Sequence, residues 1–215
     1  MPRVSEQHII KDQAKFDSLL PKYLSIINSL QKKYPVSDGS KYQSLVNFKN
    51  NTNVPKHNWF VYKQGYAEEL VRAITKENKP KQGQYILDPF CGVGTTNLVA
   101  QSMGYKSIGF DINPVAVLAA EVKTSYFTNE EKKLIKNYIN KFKPGNRFEL
   151  SEVPRVVKSS FVDKNLDALL RIRYFVEHQK FSPNIQAFFK LAFLSIIEDC
   201  KSESVFLSIA MLFTM

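Results

Sequence analysis

Cysteine is scarce. Cys91 and Cys200 are the 2 in the sequence, too few for the disulfide framework of a small secreted scaffold, which points to a reducing, cytoplasmic setting. The N-terminus lacks the basic, apolar and small-residue succession of a secretory leader. No uninterrupted apolar run reaches the length of a membrane-spanning helix, so no membrane partner is expected. The 3 histidines, His8, His57 and His178, lie far apart with no cysteine or carboxylate at ligand spacing, which argues against a metal site. No two of the 10 prolines are adjacent, and no internal repeat or low-complexity tract is present. What the chain does have is 215 residues with 44% hydrophobic content, enough for one domain with a real core. Its formal charge of +10 suits a polyanion such as DNA; because the lysines are scattered, it suits plain surface solubility as well.

The most informative stretch runs from Tyr85 to Pro114. Tyr85 to Leu87 is a short apolar run expected to form a buried parallel strand, with Asp88 at its carboxyl end, where open α/β sheets bind ligands. Gly92 and Gly94 permit a tight turn, and Thr95 or Thr96 is placed to cap a helix that runs to Met103 and ends at Gly104. Ser107 to Phe110 reads as the next strand, and Asp111 at its tip is spaced to accept hydrogen bonds from the hydroxyls of a ribose. Asn113 and Pro114 open another helix in cap and first-turn positions. The layout is that of a nucleoside-cofactor site.

Charge narrows the cofactor. A pyrophosphate favours three glycines and an uncluttered helix start, whereas here the third glycine position holds Asn97 and Asp88 places an anion just before the loop. No lysine follows Gly94, so a nucleoside-triphosphate loop is not formed. S-adenosylmethionine has no phosphate and carries an ammonium and a sulfonium, for which an acidic strand tip is an asset.

The nine residues Asp88-Pro89-Phe90-Cys91-Gly92-Val93-Gly94-Thr95-Thr96, with Asp111-Ile112-Asn113-Pro114, resemble the cofactor motifs of S-adenosylmethionine-dependent DNA amino-methyltransferases, which methylate adenine N6 or cytosine N4. The upstream segment from His57 to Val71 is similar to the stretch that precedes that motif in such enzymes. The resemblance covers about residues 57–124 and implies a partial Rossmann-like class I methyltransferase fold of the α/β class with additional N- and C-terminal helices. It further implies that Asp88 and Gly92 lie near the methionine moiety, that Phe90 lines the pocket and that Gly94 keeps the turn open. Asp111 would hold the ribose and Ile112 would pack on the adenine. Tyr62 and Tyr66 are assigned by resemblance to the pocket, Trp59 and Phe60 to the core. Pro89, Cys91, Thr95, Thr96 and Asn113 complete the cofactor-binding set, with Cys91 a packing residue and not a nucleophile. An RNA guanine-N2 methyltransferase is the enzymatic alternative.

The same family needs a second element, an Asp, Asn or Ser followed by Pro-Pro and an aromatic, because the exocyclic amine of a base is a poor nucleophile that must be oriented while the base stacks outside the duplex. Asn53-Val54-Pro55, Asn113-Pro114-Val115 and Ser182-Pro183-Asn184 are the nearest imitations, and none supplies the second proline. The expectation is a truncated enzyme, a subunit whose second chain carries the catalytic motif, or an inactive remnant, with DNA as the substrate.

The chain reads as a helical region and linker over residues 1–55, a cofactor-binding half over 56–127 and a helical extension over 128–215. Residues 6–33 carry Ile9, Ile10, Phe16, Leu19, Leu20, Tyr23, Leu24, Ile27 and Leu30 at helical spacing, with Pro21 expected to kink or break the helix. Tyr34 to Pro55 reads as loop, and Ala67 to Glu77 as a helix directing Leu70, Val71 and Ile74 at the sheet. Lys79 to Gly83 is a turn, and Pro114 to Thr124 a helix. Thr128-Asn129-Glu130-Glu131 is a capping box for a helix through about Phe142, and Lys143 to Pro154 is loop. Asp163 to His178 and Asn184 to Cys200 are helices, the second apolar nearly all round and expected to leave apolar surface exposed. Val205 to Met215 is an apolar terminal run.

Overall fold

The computed structural model describes residues 6–34, 39–62, 65–81, 83–197 and 200, with the backbone alone for 6–15. The apolar run Val205 to Met215, and Lys63, Gln64 and Gln82 within the expected pocket segment and turn, lie outside the described residues. Two compact units divide the chain, Met1–Gln43 and Ser44–Met215.

The first unit is dominated by α1, Glu6–Lys33, the span that the apolar spacing gives. Contrary to the expected break, α1 is continuous past Pro21. On a helical wheel Pro21 falls on the polar face with Ser18, Ser25 and Asn28, opposite the apolar stripe, so the backbone bond it forfeits lies on the polar side.

The second unit is built on a parallel pair, β1 Tyr85–Asp88 and β2 Lys106–Gly109, in register from Tyr85 beside Lys106 to Asp88 beside Gly109. The crossover is α3, Thr95–Ser102. It ends as expected at Gly104, which has φ 79°. There the Tyr105 N–H donates to Ala100 O and the Gly104 N–H to Gln101 O, the paired bonds of a Schellman cap. The helix α2, Glu68–Asn78, packs on α3, which in turn meets both strands and α4, Pro114–Thr124. The expected burial of the first strand is not found: Leu87 is 61% and Phe110 60% exposed, and Tyr85 and Ile108 are exposed with them. Alternation explains it. Ile86 and Ser107 face α3, and no described element covers the face that carries Leu87 and Ile108. Ile74 is likewise exposed, while Val71 and Thr75 are the buried positions of α2.

The helical part comprises α5 Asn129–Lys141, the short α6 Arg155–Lys158, α7 Asp163–His178 and α8 Pro183–Ile197. The capping box forms, with the Glu131 N–H donating to Thr128 Oγ1 and the Thr128 N–H to the Glu131 carboxylate. Packing of α8 on α4 and α7 buries Ile185, Phe188, Phe189, Leu191 and Ile196. The apolar surface expected to be left bare on this helix lies instead on the strands and on α1, because the described part of α8 has neighbours on several sides. Edge-to-face contacts of Phe127 with Phe188 and of Tyr138 with Phe181 close the core. An apolar cavity of about 70 Å³ between α5, α7 and α8 is lined by Tyr138, Phe142, Phe175 and Phe189 and has almost no polar wall.

The stretch read as loop, Tyr34 to Pro55, contains short 3₁₀ turns at Ser40–Leu45 and Phe48–Asn53, the second with Phe48 and Asn51 buried. Its polar composition hid an internal role. The Asn51 amide donates to Tyr66 O at 2.8 Å, and its oxygen accepts from the Glu68 N–H at 2.8 Å, so the asparagine ties this segment to the start of α2.

Candidate cofactor site

Parallel strands joined by a helix put both carboxyl ends on one edge, and this brings Asp88 and Asp111 to the same place. Asp88 closes β1, and its Oδ1 accepts from the Phe90 N–H at 3.1 Å. Its Oδ2 accepts from the Tyr66 hydroxyl at 2.7 Å, and that hydroxyl is also 2.6 Å from Thr96 Oγ1. Burial first, and then the Asp88 carboxylate, push the Tyr66 hydroxyl above its ordinary pKa, the bond to Thr96 opposing, so it remains a proton donor.

Asp111 follows β2 and reaches back across the turn. One oxygen accepts from the Gly92 N–H at 2.9 Å and the other from the Asn113 N–H at 2.8 Å. Gly92 has φ 50° and its Cα side faces the Tyr62 ring, where a Cβ would stand 3.4 Å from Cε1. Gly94 has φ 79°, and a Cβ there would lie 2.7 Å from the Cβ of Ala120 on α4. The two glycines therefore do different work: the first aims a backbone N–H at the acid, the second lets α3 and α4 touch. Gly94 is itself the N-cap of α3, and neither threonine caps it as expected. Thr95 and Thr96 are buried in the first turn, with Thr96 turned to Tyr66.

Asn97, in the position that excluded a third glycine, donates to Ser107 Oγ at 3.1 Å, while its buried Oδ1 has no hydrogen-bond partner. That oxygen lies 2.7 Å from where a Cβ on Gly109 would be, so the missing helix glycine is matched by a strand glycine. Cys91 is buried, as packing requires, and burial together with Asp88 and Asp111 pushes its thiol up, away from nucleophilic character. Asn113 caps α4 through a bond from the Val115 N–H, with Pro114 in the first turn. Phe90 is 84% exposed and Ile112 fully so, two apolar side chains standing free beside the acids.

A buried lysine secures the upstream segment. Lys123 of α4, 1% exposed, donates to His57 O at 3.1 Å and Phe60 O at 2.9 Å, and burial pushes its pKa down to about 7. His57 in turn lies 3.4 Å from a Glu68 oxygen, a carboxylate partner the histidine spacing did not reveal. Burial lowers the His57 pKa, with Glu68 opposing. Trp59 and Phe60 pack on the aromatic core as expected, and Tyr62 reaches it from the turn. Sequence reasoning missed Asn51, Glu68 and Lys123. The readable signal was Lys123 itself, set at helical spacing from Ala116 and Ala119 on the buried stripe. Among the described residues no group of histidine, cysteine and carboxylate side chains is arranged to hold a metal.

The structure thus brings together an acid on each of two parallel strand tips, a glycine turn between them and exposed apolar side chains beside it. The DNA methylase family matches residues 22–122 of the chain. The type II methyltransferase M.BsoBI of Geobacillus stearothermophilus is 31% identical over 159 residues, 73% of this chain and 31% of its own length. M.AvaI of Nostoc sp. is 31% identical over 81 residues, 38% of this chain and 17% of its own. M.MjaII of Methanocaldococcus jannaschii is 39% identical over 88 residues, 40% of this chain and 16% of its own. The chain thus spans a third or less of the length of these relatives. No solved structure matches it.

Proposed function

We propose that this chain is the cofactor-binding part of a type II DNA methyltransferase of a restriction-modification system, using S-adenosylmethionine to methylate adenine N6 or cytosine N4. The observation that carries it is Asp111 holding the Gly92 N–H across the turn at 2.9 Å, with Asp88 on the neighbouring tip. On this reading residues 56–127 form the cofactor half of a Rossmann-like class I methyltransferase, residues 1–55 a helical approach and residues 128–215 a helical extension.

The residues fit that cofactor. The cradle at Gly92 has no Cβ and is walled by the Tyr62 ring, two carboxylates make the edge anionic, and Phe90 and Ile112 offer apolar surface for a purine. Pro89, Cys91, Gly94 and Thr95 shape the turn, and Tyr66, Thr96 and Asn113 fix the two acids. When bound, S-adenosylmethionine supplies a methyl group activated by its sulfonium. Asp88 favours a cationic neighbour, Asp111 offers its remaining lone pairs to ribose hydroxyls, and the unpaired apolar groups exclude water.

Orienting the base amine needs the Pro-Pro-aromatic element, and these 215 residues hold no adjacent prolines. The reading therefore takes that element, and DNA positioning with it, from polypeptide outside these residues. The bare face of Leu87, Ile108 and Phe110 supports a non-catalytic subunit completed by a second chain. The test is paired: calorimetry for S-adenosylmethionine binding, and tritium transfer to DNA. Binding without transfer is expected. Absence of binding sinks the cofactor assignment, and robust labelling by the pure chain sinks the subunit reading.

A further inference from the structure

Lys123 stands one helical turn beyond Ala120 on α4, and Ala120 is the residue against which Gly94 packs. One helix face therefore backs the glycine turn and, a turn further on, sends an amine into the segment upstream of β1, 3.1 Å from His57 O and 2.9 Å from Phe60 O. The chain leaves Phe60 extended, at φ −148° and ψ 109°, and two residues later sets the Tyr62 ring beside Gly92. The same Nζ lies 5.9 Å from the centroid of the Phe48 ring, and Phe48 Cδ2 is 2.7 Å from where a Cβ on Gly65 would be, immediately before Tyr66. Lys123 thus touches what supports Tyr62 and what supports Tyr66.

Packing alone does not call for a lysine here. A methionine or leucine fills a position that is 1% exposed without the cost of desolvating an amine, so the side chain is accounted for by the two carbonyls it serves. The segment it holds also needs holding. Lys56, which leads into the short turn His57–Trp59, has φ 65°, a backbone region that non-glycine residues rarely adopt and that persists only where the surroundings fix it. Its own Nζ donates to Ser125 O at 3.3 Å, so two lysines cross in opposite directions between this segment and the C-terminal end of α4. We infer that Lys123 is a positioning residue for the cofactor site: α4 acts as a gauge, with Ala120 seating the glycine turn and Lys123 fixing, through the His57 and Phe60 carbonyls, how far the wall formed by Tyr62 and Tyr66 stands from it. This role rests on the proposed function and adds to it a side chain that does not itself face the cofactor edge.

Trp59, the single tryptophan of the chain, lies between the two clamped carbonyls and packs edge-on to Phe188, so its quenching by acrylamide reads the clamp without any ligand. Calorimetry reads S-adenosylmethionine affinity in the same full-length chains. Lys123→Met keeps the side-chain length and loses the donors; Lys123→Gln, one bond shorter, keeps two uncharged N–H donors and is the variant to read if Lys123→Met does not fold. Both are expected to quench more readily than the parent and to bind S-adenosylmethionine about fivefold more weakly or worse, Lys123→Met more than Lys123→Gln, because a small misplacement of a pocket wall is costly. Gly104→Ala, which meets open space at the end of α3, is the control: its urea midpoint falls while quenching and affinity stay at the parent's values. A folded Lys123 variant with the parent's quenching overturns the clamp, and one with raised quenching and the parent's affinity overturns the positioning role, as does an equal loss of affinity in Gly104→Ala. A parent chain that binds no S-adenosylmethionine sinks the proposed function and this role with it, whereas a binding parent with an unaffected variant sinks this role alone.

Discussion

The Tyr66 hydroxyl stands between Asp88 and Thr96, 2.7 Å from the carboxylate Oδ2 and 2.6 Å from the threonine Oγ1. It links the segment upstream of β1, the first strand tip and the first turn of α3 through one oxygen. Tyr66→Phe removes both bonds and leaves the half-buried carboxylate oxygen short of a donor, which costs about 1–3 kcal/mol. Urea denaturation of the variant is expected to show that loss. An unchanged midpoint means the hydroxyl is not part of the scaffold.

Asp111 carries two backbone N–H groups and, on the proposed function, a ribose. Asp111→Ala is expected to weaken S-adenosylmethionine binding by at least tenfold, since each lost bond to a charged acceptor is worth roughly 1.5–3 kcal/mol. Isothermal calorimetry measures it. Equal affinities for variant and parent remove Asp111 from the site.

Gly94 and Gly104 share φ 79° and differ in surroundings, which separates conformational from steric cost. Gly104→Ala meets open space and pays only the left-handed penalty, roughly 1–2 kcal/mol. Gly94→Ala carries that penalty and also drives a methyl into Ala120, adding about 1–3 kcal/mol of overpacking. Thermal or urea unfolding of the two variants is expected to rank Gly94→Ala well below Gly104→Ala, and equal midpoints contradict the close approach of α3 and α4.

Lys123 gives a pH signature. Its folded pKa, about 7, lies below the ordinary 10.5, so between these values the unfolded chain holds the proton more tightly. Stability from this group therefore rises as pH increases above about 7 and is lost as pH falls through it. Urea midpoints between about pH 7 and pH 8 are expected to climb for the parent chain. In Lys123→Met the climb is expected to flatten, and a slope identical to the parent's shows that the lysine is hydrated. The same variant leaves the carbonyls of His57 and Phe60 without their donor, so its midpoint at pH 7 reports the clamp itself.

Much of this molecule is local chemistry written in order. Glycine at 104 needs only its own backbone freedom to stop α3, Asn113 with Pro114 needs only adjacent N–H groups to start α4, and Thr128 with Glu131 completes its box within one turn; each was legible from sequence for that reason. The placing of Asp88 and Asp111 on one edge was legible too, because a strand, a short helix and a second strand admit one parallel arrangement. What sequence did not disclose were partners distant along the chain: Asn51 on Glu68, His57 on Glu68, and Lys123 on His57 and Phe60. Polar side chains at 51 and 123 look solvated until the fold closes over them, and only then does the cost of burial force each to find a partner. The bare face of Leu87 and Ile108 belongs to the same class. Their alternation fixes that they share a side, and tertiary packing alone settles whether that side is covered, since burial belongs to neighbours and not to the strand.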